Sequence, residues 1–273
     1  MIDMIVDGNS FFTRAYWAGS AGHKSSVELG ISMFCNILNP KRNQLQSVVD
    51  RVIFCWDGKP KTDKKRTTKK PDDYGGTLDT FRDSMTYLFG TAVGYSPEHE
   101  ADDAVATVVK RVKAHSDKVY AVSGDKDISQ LAMGNVFYYD LCSKAVLSHL
   151  HICSKWDIKN PSQLPIALAI LGDKSDGISG IPGWGPKKVR DAFVDVTADM
   201  DVKAAKEKVL EHIPDNLKDG FLNSLKFTLL NEEVPGIPDP SNIQFISDSE
   251  LVNIGLENLL EPYSNLAGHY ENR

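Results

Sequence analysis

Asp173 and Asp176 stand three residues apart in the stretch LGDKSDGISGIPGWGPKKVR at 171–190, just after an apolar run at 164–171 that reads as a helix. Beyond them Gly180, Gly183 and Gly185 predict a turn in which the backbone bends sharply and can come close to a ligand. Pro186 suits the first position of a following helix, which Lys187 and Lys188 continue. A helix N-terminus offers N–H groups to an anion. One segment thus joins acids for a cation to a turn suited to phosphate. Two acids beside a capped helix also make an ordinary surface loop, so the acids need company before they mean metal.

Company comes from the strand ends. MIVD at 4–7, VVDRVIFCW at 48–56 and the stretch at 118–122 read as buried strands. Asp7, Asp57 and Asp125 each close or follow one of them, and Asp127 stands two residues further on. In an open α/β sheet the ligand crevice lies outside the carboxyl ends of the strands. A single Asp there is usually a turn residue or a cap; three at equivalent places predict one acidic edge. Glu100, Asp102 and Asp103 open the best helix pattern, at 98–113, whose apolar face is Ala101, Ala104, Val105, Val108 and Val112. Acids in a first turn commonly complement the helix dipole. At spacing three, Glu100 and Asp103 share a face, and Asp102 points elsewhere unless the turn is irregular. Nine carboxylates brought together without counter-charge would raise one another's pKa values. Oxygen-only ligands favour Mg²⁺, with Mn²⁺ as a substitute. Two such ions beside phosphate-binding elements point to phosphodiester hydrolysis.

The elements that must position these residues alternate. Helices are expected at 10–19, 27–38 and 78–88, and strands at 136–141 and 145–150. From 160 to about 233 the chain reads as mainly helical, and 234–242 as extended. The expected fold is therefore α/β with a mainly parallel sheet over residues 1–158, followed by a helical region over 159–273. The 273 residues fit one large domain or two, and 41% hydrophobic content allows a full core. No run is long enough to span a membrane. The acidic start, MIDMIVDGNS, does not read as a signal peptide. Four scattered cysteines without a CxxC pair argue for reduced thiols rather than zinc. An intracellular, cytoplasmic monomer is the expectation.

Net charge is −6, but residues 59–70 hold six Lys and one Arg against one Asp, so that strip is +6 and the remainder −12. Such segregation suggests an acidic centre beside a basic strip. The polar segment at 59–76, ending in Gly75-Gly76, reads as a mobile loop.

Five motifs in order, IVDGNSFFTRAYWA at 5–18, FCWDG at 54–58, EADDAVAT at 100–107, SGDKDISQL at 123–131 and LGDKSDGISGIPGWGPKKV at 171–189, make the chain resemble the 5′ nucleases of the flap-endonuclease family. These occur in phages and as the N-terminal domain of bacterial DNA polymerase I. The resemblance implies a PIN-like nuclease domain and cleavage of DNA at a 5′ flap, a nick or a free 5′ end, with an RNA–DNA hybrid as a further substrate. Any polymerase would be a separate partner. It also implies that Asp7, Asp57, Glu100, Asp102, Asp103 and Asp125 hold a first metal, directly or through water, and that Asp127, Asp173 and Asp176 hold a second. The turn at 180–188 would be a helix–hairpin–helix element gripping duplex phosphates, with K⁺ on its carbonyls in some relatives. Arg14 matches a basic residue near the active site. The family's arch carries a Tyr-Lys pair that KKRTTKKPDDYGG at 64–76 lacks. Lys69 or Lys70 would then be the catalytic cation, with Lys65 or Arg66 beside it on the single strand. The rival readings are a related ribonuclease, which usually lacks the hairpin, and a catalytically dead junction binder, which would not need intact acids.

Overall fold

The computed structural model describes residues 1–20, 25–38, 45, 49–58, 70–89, 92–95, 98–174 and 176–237. The basic strip apart from Lys70, and so Lys65, Arg66 and Lys69, lies outside them, as does most of the tail expected to be extended. Six strands form one sheet: β1 Ile2–Asp7, β2 Arg51–Trp56, β3 Ala92–Tyr95, β4 Lys118–Ser123, β5 Val136–Asp140 and β6 Ala145–Leu147. Their order is β3-β2-β1-β4-β5-β6. All pairs are parallel except β5 with β6. The expected mainly parallel α/β architecture is what the chain adopts.

Alternation along the strands divides the core, because successive side chains point to opposite faces. Ile5, Ile53, Cys55, Val119 and Ala121 face one apolar cluster. It is completed by α4 (Ala101–Val112), α6 (Leu164–Leu171), α7 (Pro186–Ala192), α8 (Val202–His212) and α9 (Asp215–Thr228). Met4, Val6, Val52, Phe54, Trp56 and Val122 face the other, with α1 (Gly8–Ser20), α2 (Ser26–Leu38) and α3 (Tyr74–Phe89). That second face is aromatic: Phe11 stacks on Phe81 at 6.1 Å and packs edge-on to Phe34 at 6.0 Å. Met4, Ile5 and Val6 are completely buried, as a central parallel strand covered on both faces requires. The first cluster runs without a break from the sheet into the helices beyond residue 158.

Three sequence expectations are corrected. Gly75 and Gly76 do not end a loop but sit in the first turn of α3, which starts at Tyr74. Glycine costs about 1 kcal/mol in a helix. Tertiary contacts offset it: the Tyr74 ring packs against Phe12 at 5.3 Å and Tyr16 at 5.0 Å, and the Tyr74 hydroxyl pairs with Thr13 Oγ1 at 2.6 Å. The strand expected at 145–150 stops at Leu147, and α5, His149–Trp156, follows with Ser148 Oγ accepting from the His151 N–H. The alternating AVLSHLHI masked that cap. β3 was not expected; it pairs with β2 from Ile53↔Ala92 to Trp56↔Tyr95, and its four residues are too few for a pattern to show.

Not every buried acid belongs to a site. Asp3, at the opposite end of β1, is fully buried and accepts two bonds from Arg51, at 2.8 and 2.9 Å. That acid is paired within the fold.

Candidate active site

Strands β2, β1 and β4 are adjacent and parallel, so Asp7, Asp57 and Asp125 emerge at one edge. The turn residues hold them there. Asp7 Oδ1 accepts from the Ser10 N–H at 2.9 Å and Oδ2 from Ser123 Oγ at 2.8 Å. Asn9 Oδ1 accepts from the Asp57 N–H at 2.9 Å, and Ser10 Oγ from the Gly124 N–H at 2.9 Å. The GNS that follows β1 thus ties the ends of β2 and β4 to that of β1.

Asp57 also brings in α4: its Oδ1 accepts from the Ala101 N–H at 2.8 Å, next to the cap residue Glu100. Glu100 is extended (φ −79°, ψ 161°), outside the helix proper. The helical spacing rule therefore does not relate it to Asp103, and the expected pairing is reversed. Glu100 and Asp102 line a cavity, whereas Asp103 Oδ1 accepts from the Asn231 N–H at 2.7 Å and anchors the segment after α9.

The cavity has a volume of about 920 Å³. Six of the nine sequence-marked acids line it: Asp7, Asp57, Glu100, Asp102, Asp125 and Asp176. So do Arg14 and Lys70, and two cations the sequence reading missed, Lys126 and Lys144. Arg14 Nη2 donates to the Cys142 carbonyl at 3.3 Å, and Lys70 Nζ lies 4.2 Å from the centre of the Tyr74 ring. Asp125 caps the 3₁₀ turn Lys126–Leu131 by accepting from the Asp127 N–H at 3.0 Å. Lys126 Nζ then bonds Asp173 and stands 3.7 Å from Asp127 Oδ1. Asp127 and Asp173 lie buried behind that ammonium group. Lysine flanked by acids in GDKD was the available signal for Lys126. Lys144 reaches the rim from a left-handed turn residue (φ 56°), which no pattern marks.

Burial dominates the electrostatics. It pushes the Asp7 carboxyl up to about 7, and the charges of Asp57 and Asp125 add to the rise while its two hydrogen bonds oppose it. Asp127 is also raised, first by burial and then by Asp125, with Lys126 opposing. Burial alone would lower the Lys126 ammonium, but Asp127 and Asp173 outweigh it and hold lysine above its ordinary value.

Among the described residues no three carboxylates, histidines or cysteines already converge on one point. They ring a space instead. Mg²⁺ keeps several waters and takes only one or two carboxylates directly, so a ring with gaps suits it. The buried Asp127 Oδ1 accepts no hydrogen bond, and the Lys126 ammonium 3.7 Å away compensates it in part; a directly bound cation would relieve the rest of the cost. All the acids offer oxygen, and no histidine among the described residues lines the cavity. The donor set fits a hard divalent ion.

The loop at 172–185 is built on backbone geometry. Asp173 and Ile178 exchange hydrogen bonds at 2.8 and 2.7 Å, which folds Asp176 into the loop between them. Gly180 has φ +65°, and a Cβ there would lie 2.4 Å from the Gly172 nitrogen. Gly183 also has positive φ (+77°). Gly185 is extended and caps α7, and a Cβ there meets nothing within 4 Å. Lys187 and Lys188 are exposed.

Residues 3–157 match the family model described as the N-terminal resolvase-like domain of 5'-3' exonuclease. A 5'-3' exonuclease of Aquifex aeolicus is 29% identical over 195 residues, 67% of this chain and 65% of that protein. DNA polymerase I of Mycobacterium tuberculosis is 30% identical over 199 residues, 67% of this chain but only 22% of the polymerase. Less than two thirds of either relative is thus spanned. Among solved structures, the D15 flap endonuclease of bacteriophage T5, in a pseudo-enzyme-product complex with DNA and metal ions, superposes with a TM-score of 0.66. It covers 99% of this chain and 100% of its own at 16% identity, a likeness of fold.

Proposed function

The chain belongs to the 5'-3' exonuclease family, and from that membership we propose that it is a metal-dependent 5′ nuclease, hydrolysing phosphodiester bonds of DNA at free 5′ ends and 5′ flaps. The observation that carries this is the cavity in which six carboxylates from five chain segments face Arg14 and Lys70. No helix among the described residues is long and apolar enough to cross a membrane.

Asp7, Asp57, Glu100, Asp102 and Asp125 are the proposed ligands of one divalent ion, directly or through water, and Asp127, Asp173 and Asp176 those of a second. Asp103 supports the site from behind through Asn231. Mg²⁺ or Mn²⁺ bound there would supply an attacking water at neutral pH and neutralise charge on the scissile phosphate. The chain's own groups do the positioning. Ser10 and Ser123 fix both oxygens of Asp7, so its rotamer is set before any ligand arrives. Arg14 and Lys70 hold phosphate oxygens, adding fixed positive charge where negative charge develops. Lys70 rests on the Tyr74 ring, which limits its swing; this serves in place of the absent sequential Tyr-Lys pair. A division at 158/159 would set the acidic sheet apart from the proposed duplex-binding helices, although one core cluster is continuous across it; the carbonyls of the proposed hairpin would also be the place for K⁺.

Cleavage of a 5′-labelled flap, a nicked duplex and an RNA–DNA hybrid side by side, with product lengths read on a gel, tests the reading. Short 5′ products from the flap support it; cleavage confined to the RNA strand would replace it with a ribonuclease.

A pH effect follows from Asp7. Its folded carboxyl is raised, so the folded state holds the proton more tightly than the unfolded one. That contribution to stability is present at low pH and is lost as pH rises from about 4 through about 7. A divalent ion must displace the same proton. Mg²⁺ is therefore expected to raise Tm by several degrees more at pH 8 than at pH 6, against EDTA controls. Equal shifts at both pH values would mean Asp7 takes no part in binding the ion.

The hairpin separates fold from DNA contact. Gly180→Ala meets backbone and a positive φ, and is expected to cost at least about 2 kcal/mol of stability. At Gly185 an added Cβ meets nothing, so Gly185→Val is expected to cost no more than about 1 kcal/mol, for a poorer helix cap, while weakening duplex affinity about tenfold, about the worth of one bond to a charged group. Unchanged duplex affinity would remove the hairpin from the DNA site.

For the strip, replacing Lys65, Arg66, Lys69 and Lys70 together by Ala is expected to slow flap cleavage. It should also flatten the salt dependence of flap binding by as much as about 3 in log–log slope, at about 0.7 per phosphate. Parallel lines for wild type and variant would show that the strip never touches the strand.

A further inference from the structure

Apolar side chains line the cavity beside the acids and cations. On α1 the residues lining it are Asn9, Ser10, Thr13, Arg14, Trp17 and Ala18, adjacent pairs repeating every four residues, which place them along one side of the helix. Met33 of α2 lines the cavity as well. Trp17 is 51% exposed, and among the described residues it is the large exposed apolar side chain that reaches this cavity. An exposed indole needs a reason in a way that a scattered surface leucine does not.

Its seat is rigid. The Trp17 ring packs edge-on to Tyr16, with centroids 5.5 Å apart and planes at 88°. Tyr16 is held by Phe12 at 5.8 Å and Tyr74 at 5.0 Å, and its hydroxyl donates to Asp73 Oδ1 at 2.6 Å. The guanidinium of Arg14 starts one helical turn nearer the acids, about 4.5 Å along the axis. A phosphate-binding cation and a fixed aromatic face, one turn apart on one cavity wall, match the two halves of a nucleotide.

We propose that Trp17 is a stacking platform for one unpaired nucleobase of the 5′ strand, adjacent to the nucleotide whose phosphate reaches Arg14. The inference rests on the nuclease reading above and adds a base-binding subsite to it. Stacking is tolerant of sequence, because every base has a π face. The platform accepts any of the four bases and rejects a nucleotide that lacks one.

The test is a binding comparison in EDTA, where no cleavage intervenes. Flap substrates carry an abasic residue at each of the first unpaired positions in turn, and affinities are measured for wild type, Trp17→Leu and Trp17→Phe. Wild type is expected to lose about tenfold at one position. Trp17→Leu removes that penalty while binding the abasic substrate as wild type does, and Trp17→Phe retains most of it. A penalty of equal size in Trp17→Leu overturns the proposal, as does a Trp17→Leu variant that weakens base-bearing and abasic arms alike. Should that variant fail to fold, the wild-type scan decides: a penalty confined to one position supports the platform, and a uniform one overturns it. Failure of wild type to bind any flap would instead sink the nuclease reading and the platform with it, while tight binding with no abasic penalty sinks the platform alone.

Discussion

Asp7→Asn is expected to lower cleavage by about 10³-fold, on the scale of losing a preorganised transition-state contact, while leaving the protein folded. Asparagine has the shape of aspartate. Its carbonyl oxygen can still accept from the Ser10 N–H, and Ser123 Oγ can turn to accept from the amide. What is lost is negative charge at the centre of the acidic edge, between Asp57 and Asp125. Because burial already pushes the Asp7 carboxyl up to about 7, removing that charge relieves the metal-free fold. Its Tm in EDTA at pH 8 is expected to hold or rise, and the added stability from Mg²⁺ to shrink. Inactivity together with a lowered Tm in EDTA would point instead to a structural acid like Asp3.

Asp173→Asn combined with Asp176→Asn is expected to reduce hydrolysis by about 10²-fold or more and to spare DNA binding. Asp176 lines the cavity directly, whereas Asp173 reaches it through Lys126. The hairpin bonds between Asp173 and Ile178 are backbone bonds and survive the change, so Gly180, Gly183 and Gly185 keep their places. Flap affinity in EDTA within about threefold of wild type, beside slow turnover at saturating Mg²⁺, is the expected pair of results. Near-wild-type turnover would reduce these acids to the end of a helix.

Much of this was legible in the sequence because it depends on local pattern. Continuous apolar residues marked β1, and an aspartate closing or following each strand marked the sheet edge. The stripe of Ala104, Val105 and Val108 marked α4, and Pro186 marked the start of α7. The misreadings share a cause in tertiary contact. Asp102 and Asp103 exchanged their expected roles because Glu100 caps the helix rather than joining it, and because Asn231, over a hundred residues away, claims Asp103. Gly75 and Gly76 entered a helix because Tyr74 is wedged among Phe12, Thr13 and Tyr16. Lys144 lines the site only because the β5–β6 turn faces the end of β1. Trp17 could have been found by extending the three-and-four spacing outward from Ser10 and Arg14.

The central claim is that the acid-ringed cavity hydrolyses DNA with divalent ions. It is tested most directly with one 5′-labelled flap substrate incubated in EDTA, then with Mg²⁺, then with Mn²⁺, with Asp7→Asn alongside. The account predicts intact substrate in EDTA, cleavage near the junction with either ion, and almost none by the variant. A wild-type protein that melts cooperatively and binds the flap, yet leaves it intact with both ions, would contradict it and make the chain a junction-binding scaffold.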